Sequence, residues 1–538
     1  MGKEEDISAQ IAHHGQEPQD HDREELRRLG KKQVLRRNFR FLSVLGFSCA
    51  VLITWEASLI LFVTGLTNGG TAGLIYGYLV VWSGNFAVFA TLSELVSMAP
   101  TSGGQYHWVA MLAPRWCNRF LSYMTGWLTV AGWQATIASA CFLVASMIQG
   151  LVLLTNPGYE ATPWQATLIF WAVLLYCVLI NTVMSRLLPA FETLALALHL
   201  IGFVAVLVPL VRLGPKGDAK MIFTTFLNGG NWPNQGISFL VGLVGHAFAF
   251  LGLDGAYHMA EEIQHPSVVV PRSIMLTVLI NGGLGFGMLI ATLFSIVDIE
   301  KALNSPTHFP FMEIFYQSNN SIVGSAVMAS IILSLAMTAN CNVLASSSRM
   351  MWSFSRDRGL PGWKFLSLVE KRTGVPLVAI FVTSTIAVLL SLINVGSTTA
   401  FNIVVSLSVA CLYLSYLLAV GLLLYRRCTG GISTASDSPT ILANTAGTRL
   451  VWGPWNFRGA IGVIINLLAC LYLILILCFS FFPVATPTTP ETMNYSSLLI
   501  GSIIIFSIIY YLIYARKTYE GPIVEVEATC DGRLADVP

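Results

Sequence analysis

Apolar runs about as long as a bilayer is thick recur between residues 41 and 515, and they constrain this chain more than any other feature. A helix crosses the hydrocarbon core with about 20 mostly apolar residues. Twelve such runs lie near 41–65, 72–98, 122–154, 164–184, 188–211, 237–259, 273–298, 321–348, 376–394, 399–425, 459–482 and 496–515. Turn formers separate them, as in Asn68-Gly69-Gly70, Asn156-Pro157-Gly158 and Asn228-Gly229-Gly230. Only 11% of the 538 residues are charged, against about 25% in soluble domains. The runs do not alternate as barrel strands do. The chain therefore reads as an all-α polytopic membrane protein with twelve transmembrane helices.

The basic residues give an orientation. With both termini inside, 26 Lys and Arg fall in cytoplasmic segments, and four (Arg212, Lys216, Lys220 and Lys301) fall outside. The positive-inside rule favours that arrangement. The sequons at Asn319 and Asn494 then face the exterior and are expected to be glycosylated. Residues 1–40 are expected to form a disordered cytoplasmic tail, 41–425 the core of ten helices, and 426–458 a cytoplasmic loop whose Thr/Ser/Gly-rich insert 428–450 reads as flexible. Residues 459–515 supply two more helices, and 516–538 a cytoplasmic tail. A net charge of +2 gives no footprint for nucleic acid. The ten cysteines show neither CxxC nor metal spacing, so no disulfide framework, metal or other cofactor is expected. Because the first 40 residues are polar, no cleavable signal peptide is expected.

Ionisable groups at membrane depth are costly, about 2.5–3.5 kcal/mol each on insertion scales, so each requires a reason. The first run carries Thr54-Trp55-Glu56-Ala57-Ser58 at its middle. Glu56 either meets a cation or proton there, the favoured reading, or is a protonated acid bonded to neighbouring helices. In the sixth run, Phe250-Leu251-Gly252-Leu253-Asp254-Gly255 suggests a helix interrupted at membrane depth. Asp254 reads first as the N-cap of the restarting helix, with ligand binding as the other reading. His199, midway in the fifth run, suits a proton-coupled step or an ordinary interhelical bond. Gln134, Asn340 and Asn342 read mainly as interhelical amides.

Three passages resemble the amino acid–polyamine–organocation transporters, and among them the fungal amino acid/choline permeases. The second run ends in Ser93-Glu94-Leu95-Val96-Ser97-Met98-Ala99-Pro100-Thr101-Ser102-Gly103-Gly104-Gln105-Tyr106. The sixth gives Gly252-Leu253-Asp254, then Ala260-Glu261-Glu262, His265-Pro266 and Val270-Pro271-Arg272. Leu66-Thr67-Asn68-Gly69-Gly70 is similar to the choline/GABA-permease branch. The resemblance implies a 5+5 inverted-repeat (LeuT-like) core plus two trailing helices. It also implies that helices one and six are broken at midplane and form the substrate site with helices three, eight and ten. Many relatives have Gly-x-Gly where this chain has Thr54-Trp55-Glu56. The acid and the indole here suit a cationic amine, with cation–π contact from Trp55. By position, His199 matches a helix-five lysine that replaces a coupling sodium ion in some bacterial relatives.

The expected function is secondary active transport, by alternating access, of an amino acid or a related amine such as choline, GABA or a polyamine. Proton coupling through His199 and residence in the plasma membrane are expected, with the vacuolar membrane as the other location. The expected substrate site is Thr54, Trp55, Glu56, Gln134, Phe250, Gly252, Asp254 and Asn340. Transport of an alkaloid-like metabolite and non-transporting nutrient sensing are the rival readings. No nucleophile, base or metal cluster supports an enzyme.

Overall fold

The structure, a computed structural model, describes residues 21–393, 400–434, 442–489, 493–528 and 534–536. Along the chain run α1 (21–28), α2 (Phe41–Leu52), α3 (Thr54–Ile60), α4 (Phe62–Met98), α5 (Gln105–Leu112), α6 (Asn118–Thr155) and α7 (Pro163–Thr182). Then come α8 (Leu188–Leu213), α9 (Ala219–Thr224), α10 (Gln235–Ala249), α11 (Gly255–His258), α12 (Pro266–Phe294), α13 (Ile299–Leu303) and α14 (Pro310–Asn319). The last helices are α15 (Ile322–Arg356), α16 (Trp363–Leu366), α17 (Leu377–Ser391), α18 (Ala400–Cys428), α19 (Gly459–Phe479) and α20 (Ser496–Ile513). A short antiparallel ribbon of β1 (Val526–Ala528) and β2 (Leu534–Asp536) follows the otherwise helical chain, whose fold class is the expected one.

Proline opens α7, α12 and α14, where its fixed φ suits a first turn and its missing N–H costs nothing. Among the described residues ten helices are long and apolar enough to cross a bilayer, counting α2 with α3 as one. At the expected sixth and ninth runs stand the shorter apolar helices α10 and α17. Along α8, Leu194, Leu198, Ile201, Val204 and Val208 are exposed at three- and four-residue spacing, an apolar stripe that only lipid satisfies. The chain is a multi-pass membrane protein. Inside the bundle α6 packs on α5, α7, α15 and α18, while α4 packs on α10, α12 and α19.

Two breaks shape the first span. Ile53 adopts φ 30° and ψ 47°, interrupting the i→i+4 ladder between α2 and α3. The break falls one residue before the expected Thr54–Ser58 segment, which is itself helical through Ile60. Gly70, at φ 67°, turns the chain within α4 from the end of the first span into the second. A Cβ there would lie 2.6 Å from the Thr225 carbonyl oxygen, so both the conformation and the space call for glycine.

Both tails and the loop before α19 meet at one end of the bundle, here the tail end. Residues 1–20 lie outside the described residues, but 21–40 do not form the expected disordered tail. Leu26, Leu29, Leu35 and Phe39 are buried, and the Phe39 N–H donates to the Glu262 carbonyl at 3.1 Å. The loop 426–458, expected to be flexible over 428–450, is also anchored, except for 435–441, which lie outside the described residues. Asn444 is buried and donates to the carbonyls of Met98 (2.8 Å) and Val451 (2.9 Å). Past α20, the buried Tyr519 hydroxyl meets Ser122 Oγ at 2.6 Å. Charge with little apolar content made the N-terminal stretch, and Thr, Ser and Gly the loop, look unstructured, yet their polar groups find partners on the bundle.

Candidate functional site

The two helix breaks face each other. The second runs from Phe250 to Asp254, with Gly252 at φ 96°, between α10 and α11. Interrupted helices leave backbone N–H and C=O groups free at membrane depth. Between the breaks lies a cavity of about 60 Å³. Its walls include Ile53, Ala57 and Ile60 on one side, and Phe248, Leu251 and Gly252 on the other. Thr136 and Ala140 of α6 and Asn340 of α15 complete it. That volume is far below the roughly 300 Å³ at which ligand pockets begin, so the bundle is closed around its centre. Among the described residues no charged side chain lines the cavity.

Asp254 lies beside this cavity as a hub. Its carboxylate accepts from the Tyr416 hydroxyl (2.5 Å), Gln105 Nε2 (2.8 Å) and Trp133 Nε1 (3.1 Å), and His258 Nε2 stands at 3.4 Å. It makes no capping bond to α11, contrary to the N-cap reading. Side-chain donors from α5, α6 and α18 compete for the same lone pairs and win. The acid thereby ties the second break to three other helices.

Glu56 and His199 come together: Glu56 Oε1 is 2.8 Å from His199 Nδ1, and both side chains are buried. The Trp55 ring lies 6.0 Å from the rings of His199 and Phe203. Neither Trp55 nor Glu56 lines the cavity, because Ile53, Ala57 and Ile60 occupy that face of the helix. Among the described residues, the acid and the indole of the expected site therefore stand off this cavity's wall. Thr54 packs toward α12, where a Cβ on Gly285 would meet Thr54 Cγ2 at 3.1 Å. Gln134 Nε2 donates to Thr383 Oγ1 of α17 at 3.3 Å, and the Phe250 ring packs 5.5 Å from that of Tyr78. Asn340 lines the cavity while its Nδ2 donates to the Ala140 carbonyl at 3.2 Å.

Of the expected set, then, Gly252 and Asn340 reach the cavity. Sequence reasoning passed over Ile53, Ala57, Thr136 and Ala140. The apolar spacing 53, 57, 60 was the available signal, since it defines the helix face opposite Glu56. Of the two sequons, Asn494 spends its Nδ2 on the carbonyls of Ser480 (2.7 Å) and Phe482 (3.1 Å). Asn319 Nδ2 faces Met328 Sδ at 3.8 Å. Both precede helix N-termini at the far end of the bundle.

At the tail end, ion pairs seal the bundle. Arg349 Nε meets Glu262 Oε1 at 2.9 Å, and Arg356 holds Glu261 at 2.9 Å and Glu525 at 2.5 Å. Asp357 pairs with Lys31 and accepts the Ile523 N–H at 2.9 Å. Arg427 meets Glu94 at 2.5 Å.

The membrane-embedded helical bundle thus encloses a small cavity between two facing broken helices. The chain belongs to the amino acid permease family, whose sequence pattern matches residues 39–507. It is similar to a choline transporter of Saccharomyces cerevisiae, with 31% identity covering 90% of this chain and 83% of the relative. An amino-acid permease of Arabidopsis thaliana is 30% identical, covering 93% and 96%. Among solved structures, an Eremococcus coleocola manganese transporter matches with a TM-score of 0.53 and 14% identity over 89% of this chain and 95% of that one. At that identity the likeness shows the LeuT-like fold alone. The chain is a transmembrane permease of amino acids or related amines.

Proposed function

We propose that this permease carries a small ammonium-bearing solute, of the choline, GABA, polyamine or amino acid kind, in symport with protons. The observation behind this reading is the cavity between Ile53 and Gly252, which has apolar walls and, among the described residues, no charged side chain. An ammonium group entering it meets the carbonyls freed at the two breaks rather than a carboxylate. Thr136 and Asn340 add the polar contacts that orient the solute. The Glu56–His199 pair lies apart from that wall and serves as the proton site, since one proton changes the charge that holds α3 to α8. The basic tail end lies in the cytoplasm on this reading, in keeping with the distribution of Lys and Arg. The plasma membrane is its location.

The test is uptake in permease-deficient yeast. Labelled choline, GABA, putrescine, arginine and a neutral amino acid are each supplied with and without a protonophore. The expected result is protonophore-sensitive uptake of one of them that survives Glu56→Gln in affinity but not in accumulation. Uptake by His199→Ala that still follows the proton gradient would overturn the coupling role. Loss of solute affinity in Glu56→Gln would return recognition to the acid.

A further inference from the structure

A second and much larger cavity, of about 790 Å³, opens at the tail end, far from the broken helices. Four arginines line it: Arg28 of α1, Arg426 and Arg427 at the end of α18, and Arg458 just before α19. Among the described residues, Glu25 is the carboxylate on its wall. Such clustering stands out in a chain whose net charge is +2.

These guanidiniums divide into two held and two free. Arg426 is fixed by the carbonyls of Leu112 (2.5 Å) and Ala113 (3.2 Å). Arg427 donates to Glu94 (2.5 Å) and to the Phe457 carbonyl (2.7 Å), and it lies 4.8 Å from the Trp452 ring. Its side chain is only 7% exposed, yet Nε is a buried donor without a partner. Arg28 Nε is likewise buried and unpartnered. Arg458 is exposed and makes no ion pair among the described residues. Unsatisfied buried donors are costly, and planar guanidinium groups match phosphate oxygens in pairs.

We propose that this cavity is a binding site for a polyphosphate anion, such as the headgroup of a polyphosphoinositide. Arg28 and Arg458 close on the phosphates, while Arg426 and Arg427 form a rigid floor. The place fits a headgroup. Arg426 and Arg427 end one apolar helix and Gly459 begins another, and Val463 of that second helix continues the wall toward the acyl region. Basic pockets between transmembrane helices at the membrane surface hold such headgroups. A soluble inositol phosphate carries the same phosphates, and the experiment separates the two sources.

Full-length protein is reconstituted in phosphatidylcholine nanodiscs, with or without about 5 mol% phosphatidylinositol bisphosphate. Binding is read as a shift in the thermal unfolding midpoint. Soluble inositol trisphosphate is titrated into the lipid-free-of-phosphoinositide discs by calorimetry. The test variant is Arg28→Gln/Arg458→Gln, which leaves the Arg427–Glu94 pair intact; Arg28→Lys/Arg458→Lys retains the charge. We expect saturable binding of at least one probe, weakened about tenfold or more in the Gln variant and less in the Lys variant. A midpoint shift from the lipid alone identifies the membrane as the source, and equal affinity for the soluble probe identifies a metabolite. Absence of binding by both probes overturns the proposal, as does equal binding by a Gln variant with an unchanged basal midpoint.

Discussion

At the tail end, Lys31, Arg349, Arg356 and Arg427 close the bundle against carboxylates drawn from α4, α15, the loop after α11 and the C-terminal segment. At the far end, Phe311, Met312 and Phe315 of α14 belong to one apolar cluster with Trp55, Leu59 and Ile60 of α3. The ion pair described there, Lys301 with Glu313, is exposed on the lysine side. Charged closure can be exchanged for water and new partners, whereas apolar closure can open only by exposing area at about 25 cal/mol per Å². The two gates of one permease therefore answer to different variables. Trp55 belongs to the apolar cluster at the far end rather than to the wall of the central cavity.

The largest effect that would break this contrast comes from Arg356. In Arg356→Gln, Glu261 and Glu525 both lose their cation, and breaking buried pairs from one side costs about 3–5 kcal/mol. The expected outcome is a state open at the tail end, read as faster thiol labelling of a cysteine placed at Ala57 by a reagent added from that side. Unchanged labelling would mean that the ion pairs do not gate.

Phe311→Ala tests the other end. Truncating a buried phenylalanine costs about 3 kcal/mol or more in a folded core. Here the loss falls on the closed state, so far-side labelling of the same cysteine should rise, with little dependence on pH. A tail-side increase instead would erase the distinction between the gates.

The smallest effect concerns Glu525. Burial alone would raise its carboxyl, but the hydrogen bond and charge of Arg356, with Lys31 nearby, hold it below the ordinary range. A lowered folded value means that its contribution, about 1 kcal/mol, is present above the unfolded value of about 4.3 and fades as pH falls through the folded one. Protease release of the C-terminal segment should thus rise in acid for the natural protein. Glu525→Gln should already release it faster than the natural protein at neutral pH and lack the acid limb.

The spans were legible because a bilayer demands long apolar runs, and the second break because Gly252 and Gly255 flank Asp254. The first break was displaced by one residue, since Ile53 has no turn chemistry and is held in its conformation by its surroundings. Glu56 and His199 were each visible as ionisable residues in a span, but their pairing crosses 143 positions of sequence. The direction of Trp55 could have been inferred from the apolar 53, 57, 60 face. The partners of Asp254 could not, because Gln105, Trp133 and Tyr416 converge only in the folded bundle. The tails misled for a physical reason: their charges looked solvated because the partner charges lie hundreds of residues away.

Asp357 takes one partner from Lys31 and another from the Ile523 N–H, 166 positions further on. Synthesis runs from the first residue to the last. The ribosome therefore delivers every apolar helix to the membrane before the second of these partners exists. Until then a nascent chain carries the helical bundle without this clasp, and a premature stop between Ile513 and Ile523 would leave it that way. The clasp on Asp357 is thus closed by a segment made after the last long helix.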